Sequence, residues 1–270
     1  MMKTRRCLLF ASSLFCALAV QTRAADTLLL SQEDPLLGYG YGLSSWTGMT
    51  TALNTAFGAG NVTVDTSPLN SLSYMLNYNS LWVTVGGYGT SLTATEVGNI
   101  ESYEATGRRV VLIGENTLWA AWDNGILGTV GGSYSGVDTS DTLTPVVSDA
   151  LTAGVPSLTT IDDGIALGGT PLFNKNVATL WGGSQNVLTL LSANVIDDYY
   201  GVSPGNQQFK IDLADWLAVP QASASAPDGA STLELLGFGI LGIGVCRKLP
   251  RCQQRKAVFM KSSLMSANPL

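Results

Sequence analysis

Residues 109–116 read Arg-Val-Val-Leu-Ile-Gly-Glu-Asn. Val110 to Ile113 form an unbroken apolar run in which three of four residues are β-branched, as expected of a strand covered on both faces. Gly114, Glu115 and Asn116 then break the run, and a helical stretch follows from Thr117 to Val130. The unit is a strand that stops at a turn carrying a carboxylate and hands over to a helix.

Working upstream, the same order recurs. Leu81 to Val85 (LWVTV) leads through Gly86 to Gly89 (GGYG) into a helical stretch from Thr93 to Ala105. There Thr93-Ala94-Thr95-Glu96 has the spacing of a capping box, and Gly107 stands where a helix stops. Asn61 to Asp65 precedes a helical stretch from Leu69 to Tyr78, and Thr27 to Ser31 precedes one from Trp46 to Phe57. Regular βα alternation predicts a parallel, doubly wound α/β sheet over residues 26–219.

Downstream of Gly131-Gly132 the pattern changes. Ser133 to Gly169 is rich in Thr, Ser, Asp and Gly, which predicts loops and short strands with a short helix around Pro145 to Leu151. Asn176 to Trp181 and Asn186 to Ala193 read as two late antiparallel strands, and Phe209 to Leu217 as a closing amphipathic helix.

Between Asp26 and Pro227 four basic residues (Arg108, Arg109, Lys175, Lys210) face eighteen acidic ones, a formal charge of −14 hidden by the whole-chain −6. Such a surface disfavours nucleic acid and anionic lipid. Cys7, Cys16, Cys246 and Cys252 all lie near the ends, and the 270 residues include no His. The middle therefore has no disulfide, no thiolate nucleophile, and neither a His base nor His or Cys metal ligands.

The ends carry their own signals. Met1 to Arg6 is basic, Cys7 to Val20 apolar, and Thr22-Arg23-Ala24-Ala25 offers small residues for cleavage, so residues 1–25 read as a secretory signal peptide, with an uncleaved anchor as the alternative. Residues 220–231 form a small-residue linker, 232–246 a hydrophobic segment and 247–270 a basic tail, cytoplasmic by the positive-inside rule. The fourteen residues from Thr232 to Val245 reach about 21 Å as a helix, short of a ~30 Å hydrocarbon core.

Ala226-Pro227-Asp228-Gly229-Ala230-Ser231-Thr232, followed by LELLGFGILGIGVCRK, resembles the C-terminal sorting signals of the PEP-CTERM type, in the variant that begins Val-Pro-Asp-Ser-Gly. Pro227, Asp228, Gly229, Ser231 and Thr232 carry the match, with Ala226 in place of Val. The resemblance implies cutting by an exosortase-type membrane enzyme and delivery across the inner membrane to the surface or extracellular matrix of a Gram-negative-type bacterium. Membrane contact then runs through residues 232–246. The tail continues beyond the usual end of such signals, from Pro250 to Leu270, which keeps a plain C-terminal anchor as the alternative.

From Thr27 to Leu217 the order of short motifs resembles the class I glutamine amidotransferase-like, or flavodoxin-like, fold. In that family a loop like Gly86-Gly87 supplies N–H groups to an oxyanion, and the turn after a later strand carries the nucleophilic Cys; here that turn holds Glu115. Asp149 to Leu158 (DALTAGVPSL) resembles the family's His-Pro-Leu-Thr-x-Gly stretch, with Asp149 in the His position. Without Cys and His the resemblance implies the fold and not amidotransferase chemistry.

In such sheets ligands bind beyond the carboxyl ends of the strands, which makes Gln32, Glu33, Asp34, Gly86, Gly87, Tyr88, Glu115, Asn116 and Trp119 the cleft candidates. Glu115 paired with Glu33, Asp34 or Asp123 has the chemistry of a glycan hydrolase. The structural alternative has Glu115 favouring the positive end of the following helix, with Asn116 shaping the turn. Trp82 and Trp216 read as core; Trp119 and Trp122, three apart beside Glu115, are candidates to face a cleft and stack on sugar, with core packing as the alternative. Glu33-Asp34, Asp162-Asp163 and Asp197-Asp198 allow a Ca²⁺-dependent adhesin, although none has the spacing of a Ca²⁺ loop; solvated loop charge is the alternative. GGYG lacks the Walker spacing of a nucleotide site. The expectation is an exported, surface-sorted binding or structural module of the envelope or its polysaccharide matrix, without catalysis or cofactor.

Overall fold

Leu28, Leu29 and Leu30 are wholly buried, and so are Leu81, Trp82 and Val83 and Val110 to Ile113, as strands sandwiched between two helical layers must be. The computed structural model describes residues 26–32, 40–138 and 141–219, all in the first of two units into which the chain divides after Ser223. Glu33 and Asp34 and the segments expected to be a signal peptide, linker, sorting motif, hydrophobic segment and basic tail lie outside the described residues. No helix among the described residues is long and apolar enough to cross a membrane.

The strands are β1 (Leu28–Ser31), β2 (Val62–Asp65), β3 (Ser80–Val83), β4 (Arg109–Ile113), β5 (Ser133–Asp138), β6 (Thr142–Leu143), β7 (Leu158–Thr159), β8 (Asp163–Leu167), β9 (Thr170–Pro171), β10 (Ala178–Trp181) and β11 (Val187–Leu190). The helices are α1 (Thr47–Phe57), α2 (Leu72–Met75), α3 (Ala94–Glu104), α4 (Ala120–Thr129) and α5 (Pro204–Ala218). Seven strands form the main sheet in the order β2-β1-β3-β4-β11-β10-β9. Pairing is parallel from β2 through to β11, then antiparallel to β10 and β9. This is the flavodoxin-like order 2-1-3-4-5 with an antiparallel extension, the expected fold class.

Helices cover both faces. On one, α1 packs on α5: Trp46 meets Trp82 edge to face at 5.7 Å, Ser80 Oγ donates to Leu217 O at 2.7 Å, and the Arg109 guanidinium lies 4.7 Å over the Trp216 ring. The other carries α3 and α4, with Tyr103, Ile126 and Leu127 fully buried. The capping box of α3 forms as expected, Thr93 N donating to Glu96 Oε2 at 2.7 Å and Glu96 N to Thr93 Oγ1 at 3.3 Å.

Two elements depart from expectation. The helix predicted from Leu69 to Tyr78 is a 3-10 turn at Pro68–Asn70 followed by the short α2, because extended Ser71 interrupts it and restarts the chain by accepting from Tyr74 N. The helix around Pro145 to Leu151 is a single 3-10 turn at Ala150–Thr152, held by Asp149 accepting from Leu151 N at 2.9 Å. The two late strands form as expected, β10 pairing antiparallel with β11, while β11 itself joins the sheet parallel to β4.

Candidate functional site

The turn after β4 does not present Glu115 to solvent. Glu115 is 3% exposed, and its Oε1 accepts from Ala193 N at 3.0 Å, joining the carboxyl end of β4 to the 3-10 turn after β11. Its own backbone N–H donates to Asp123 Oδ1 at 3.1 Å, with Asp123 fully buried on α4. Glycines allow this crowding. A Cβ on Gly114 would meet the Asp123 carboxylate, and one on Gly164 would collide with the carbonyl oxygen of Glu115.

Burial, the largest influence, pushes the Glu115 carboxyl up to about 8; Asp123 and Asp163 add to the rise, and the Ala193 N–H opposes it. Asp123 is likewise pushed up to about 8 by burial. At neutral pH both are mainly protonated. Glu115 Oε2 and Asp123 Oδ2 are buried without a hydrogen-bond partner. The expected alternatives are both corrected: Glu115 neither faces a cleft nor caps the following helix. Asn116 has the turn-shaping role, its Oδ1 accepting from Leu118 N at 3.0 Å.

Of the other cleft candidates, Gly86 is required by packing, since a Cβ there would strike the Trp122 ring. Trp122 is 1% exposed with Nε1 donating to Ile113 O at 2.9 Å, so it is core and does not line a cleft. Trp119 donates Nε1 to Gly86 O at 3.0 Å and meets exposed Tyr88 edge to face at 6.0 Å. Gly87 is buried, its carbonyl accepting from Thr90 Oγ1 at 2.6 Å. An aromatic ledge of Tyr88 and half-buried Trp119, with exposed Leu118 nearby in the chain, thus stands above the ends of β3 and β4.

Of the acidic pairs, Glu33-Asp34 lies outside the described residues and Asp162 is exposed, whereas Asp163, Asp197 and Asp198 are engaged in the fold. Asp197 is buried and its Oδ1 accepts from Tyr199, Tyr200 and Gly201 N–H groups at 3.0, 2.6 and 3.0 Å. Asp198 pairs with Lys210 at 2.9 Å, and Asp163 is fully buried. Among the described residues no group of three or more acidic, His or Cys side chains is arranged to hold a metal ion. Asp149 holds the 3-10 turn described above.

Sequence reasoning missed two features. One is a cavity of about 430 Å³ between α1 and α5, lined by Gly48, Thr51, Thr55, Gln207 and Lys210 among others. Its wall residues lie more than 150 positions apart, so no local pattern announces it. The other is the set of buried polar atoms without a hydrogen-bond partner on Thr84, Trp46 and Trp82; Gln32, a cleft candidate from the sequence, carries another at its Oε1. Alternation along the strands held the only clue to it.

No protein-family model matches the sequence, nor does any curated protein. Solved structures do resemble it. The N-terminal domain of mmIFT52 superposes with a TM-score of 0.54 at 12% identity, over 72% of this chain and 97% of that one. A ThuA-like protein from Bacteroides uniformis gives 0.44 at 10% identity, over 71% and 90%. The exo-β-1,4-mannosidase Op5Man5 from an Opitutaceae bacterium gives 0.43 at 12% identity, over 73% of this chain and 36% of the mannosidase. Likeness to the mmIFT52 domain is a likeness of fold and carries no activity across.

Proposed function

We propose that the chain is an exported, surface-sorted protein whose α/β domain is a non-catalytic binding or structural module of the bacterial envelope or its extracellular polysaccharide matrix. The observation that carries the non-catalytic half is the burial of Glu115, 3% exposed and hydrogen-bonded to Ala193 N. A nucleophile or general base must reach the reacting atom, and the carboxylate at the family's nucleophile position is committed to joining two strand ends. The sorting half rests on Pro227-Asp228-Gly229 with the hydrophobic segment and basic cluster behind it. An exosortase-type processing enzyme is then the first partner, and matrix polysaccharide the second.

Intact mass of the protein recovered from its native envelope tests the sorting. A chain from about Asp26 to near Pro227, with or without an added glycolipid, supports it. A mass that retains Leu270 replaces it with a tethered domain.

One observation favours a second reading, a hydrolase using Glu115 and Asp123. Both carboxyls are held near 8 at a strand end, the kind of perturbation that active sites share with buried structural pairs. Turnover of a glycan, abolished by Glu115→Gln, distinguishes the two.

A further inference from the structure

The start of α1 meets the turn that leads into α5: Asp198 N donates to Ser45 O at 2.7 Å, and Gly48 N donates to Asp198 Oδ2 at 2.8 Å. A Cβ on Gly48 would strike that carboxylate, so the two helices close together at this end. From there they run side by side, and the cavity of about 430 Å³ opens between them, a volume in the range of small-molecule sites. One wall is Thr51, Ala52 and Thr55 on α1; the other is Gln207, Ile211 and Asp215, spaced four apart along one stripe of α5. Thr51, Thr55, Ile211 and Asp215 are exposed, so solvent reaches the cavity.

The polar groups of these walls have spent their donors and kept their acceptors. Thr51 Oγ1 donates to Thr47 O and Thr55 Oγ1 to Thr51 O, both at 2.8 Å, which leaves the lone pairs of both hydroxyls for the cavity. Gln207 Nε2 donates to Gly201 O at 2.8 Å, which leaves its carbonyl oxygen. Asp215 is a carboxylate that no Lys or Arg among the described residues answers. Lys210 turns its buried ammonium to Asp197 O and Asp198, Lys175 pairs with Asp141 at 2.6 Å, Arg108 donates to Leu76 O and Tyr78 O, and Arg109 lies over the Trp216 ring. The field at this end has one sign as well. Thr55 and Asp215 lie in the last turns of α1 and α5, where helix carbonyls concentrate partial negative charge, and neither last turn holds a basic residue. Asp215 thus stands where its helix disfavours a carboxylate, and its charge adds to the burial that chiefly raises the neighbouring Asp212 carboxyl.

We propose that the cavity between α1 and α5 binds a small organic ammonium ion, a protonated primary amine on a short aliphatic or sugar body. An ammonium carries three N–H donors and no acceptor, which suits walls that offer the Thr51 and Thr55 oxygens and the Asp215 carboxylate. Ala52 and Ile211 supply apolar surface for the carbon body. An anion meets only acceptors and like charge here, and a neutral hydroxyl compound leaves the Asp215 charge unanswered. Two sources share this chemistry, a free aliphatic amine and a hexosamine residue whose amino group is unacetylated. The sugar source rests on the binding-module reading, while the site goes beyond that reading and stands on its own geometry.

Calorimetric titration of the full-length protein at low ionic strength tests it, with cadaverine and glucosamine each set beside an uncharged counterpart, pentanediol and N-acetylglucosamine. At least one amine is expected to bind saturably, and neither neutral compound. Binding of cadaverine alone assigns the free-amine source, and binding of glucosamine alone the sugar source. Asp215→Asn is expected to weaken the binding roughly tenfold or more while leaving the melting temperature of the free protein unchanged or higher, since a like charge leaves the helix end. Glu101→Gln, which removes an exposed carboxylate on α3, is expected to leave binding unchanged. Thr55→Arg sets a guanidinium within reach of Asp215 and is expected to abolish binding. The proposal is overturned if neither amine binds, if the neutral counterparts bind as tightly, or if Asp215→Asn binds like the wild type. Equal weakening by Glu101→Gln also overturns it, because the effect is then one of overall charge. So does a free Asp215→Asn protein that melts lower or fails to fold, because the carboxylate then has an internal partner. These outcomes leave the envelope and sorting experiments untouched, and failure of those leaves the titration to judge the site.

Discussion

The backbone N–H of Glu115 donates to the Asp123 carboxyl at 3.1 Å, and the two side chains are buried together where β4 ends. The pair gives the domain a pH dependence of definite sign. Both carboxyls titrate at about 8 in the folded chain, against ordinary values of 4.5 and 3.8, and Glu104 is also raised to about 8, chiefly by burial. Between those limits the unfolded chain has released protons that the folded chain keeps. Their contribution is therefore full below about pH 4, falls as pH rises to about 8, and is level above that. Melting temperature is expected to fall across that interval, with a shallower slope in Glu115→Gln. A rise across it contradicts the assignment.

Glu115→Gln and Glu115→Ala separate the hydrogen bond from the charge. Glutamine retains an acceptor for Ala193 N and is expected to alter stability by less than about 1 kcal/mol at neutral pH, where the wild-type carboxyl is mainly protonated. Alanine leaves a buried N–H unanswered and a void, at a cost of about 2–4 kcal/mol. Denaturant titration of the two variants reads the difference.

Gly164 and Gly98 are expected to respond in opposite ways to alanine. A Cβ at Gly164 meets the Glu115 carbonyl oxygen, the Tyr134 ring and Leu191, so Gly164→Ala is expected to cost about 3 kcal/mol or more. At Gly98, inside α3, nothing lies within 4 Å of the added methyl, and Gly98→Ala is expected to stabilise by about 0.5–1 kcal/mol.

Lys210 is 1% exposed, its Nζ donating to Asp197 O at 2.6 Å and Asp198 Oδ1 at 2.9 Å. Removing one member of such a pair leaves the other without its counter-charge, so Lys210→Met is expected to destabilise by about 3 kcal/mol. Lys210→Met with Asp198→Asn is expected to recover part of the loss, measured by the same denaturant titration.

Where local chemistry decided the structure, the sequence was readable. Val110 to Ile113 and Leu81 to Val83 are buried runs whose β-branched and aromatic residues suit only a covered strand, and Thr93 with Glu96 caps a helix through contacts three residues apart. The region after Gly131 resisted because Ser, Thr and Gly favour no element strongly, so β5 forms by pairing with β8, some thirty residues away. The candidate site failed for the same reason at longer range. Ala193 N, which claims Glu115, lies 78 residues along the chain, and the Trp122 ring that forces Gly86 to be glycine lies on the helix after the next strand. Acidic pairs looked alike in sequence, yet Asp197 folds its carboxylate onto three local N–H groups and Asp198 reaches a lysine.

On the proposed reading the domain holds matrix polysaccharide without cutting it. Full-length protein is incubated with the extracellular polysaccharide of its own organism, and both the protein retained on the polymer and the reducing ends released are measured. Retention with no new reducing ends is expected, alike for the wild type and Glu115→Gln. Release of reducing ends by the wild type that disappears in Glu115→Gln would contradict it and make the buried pair a catalytic one.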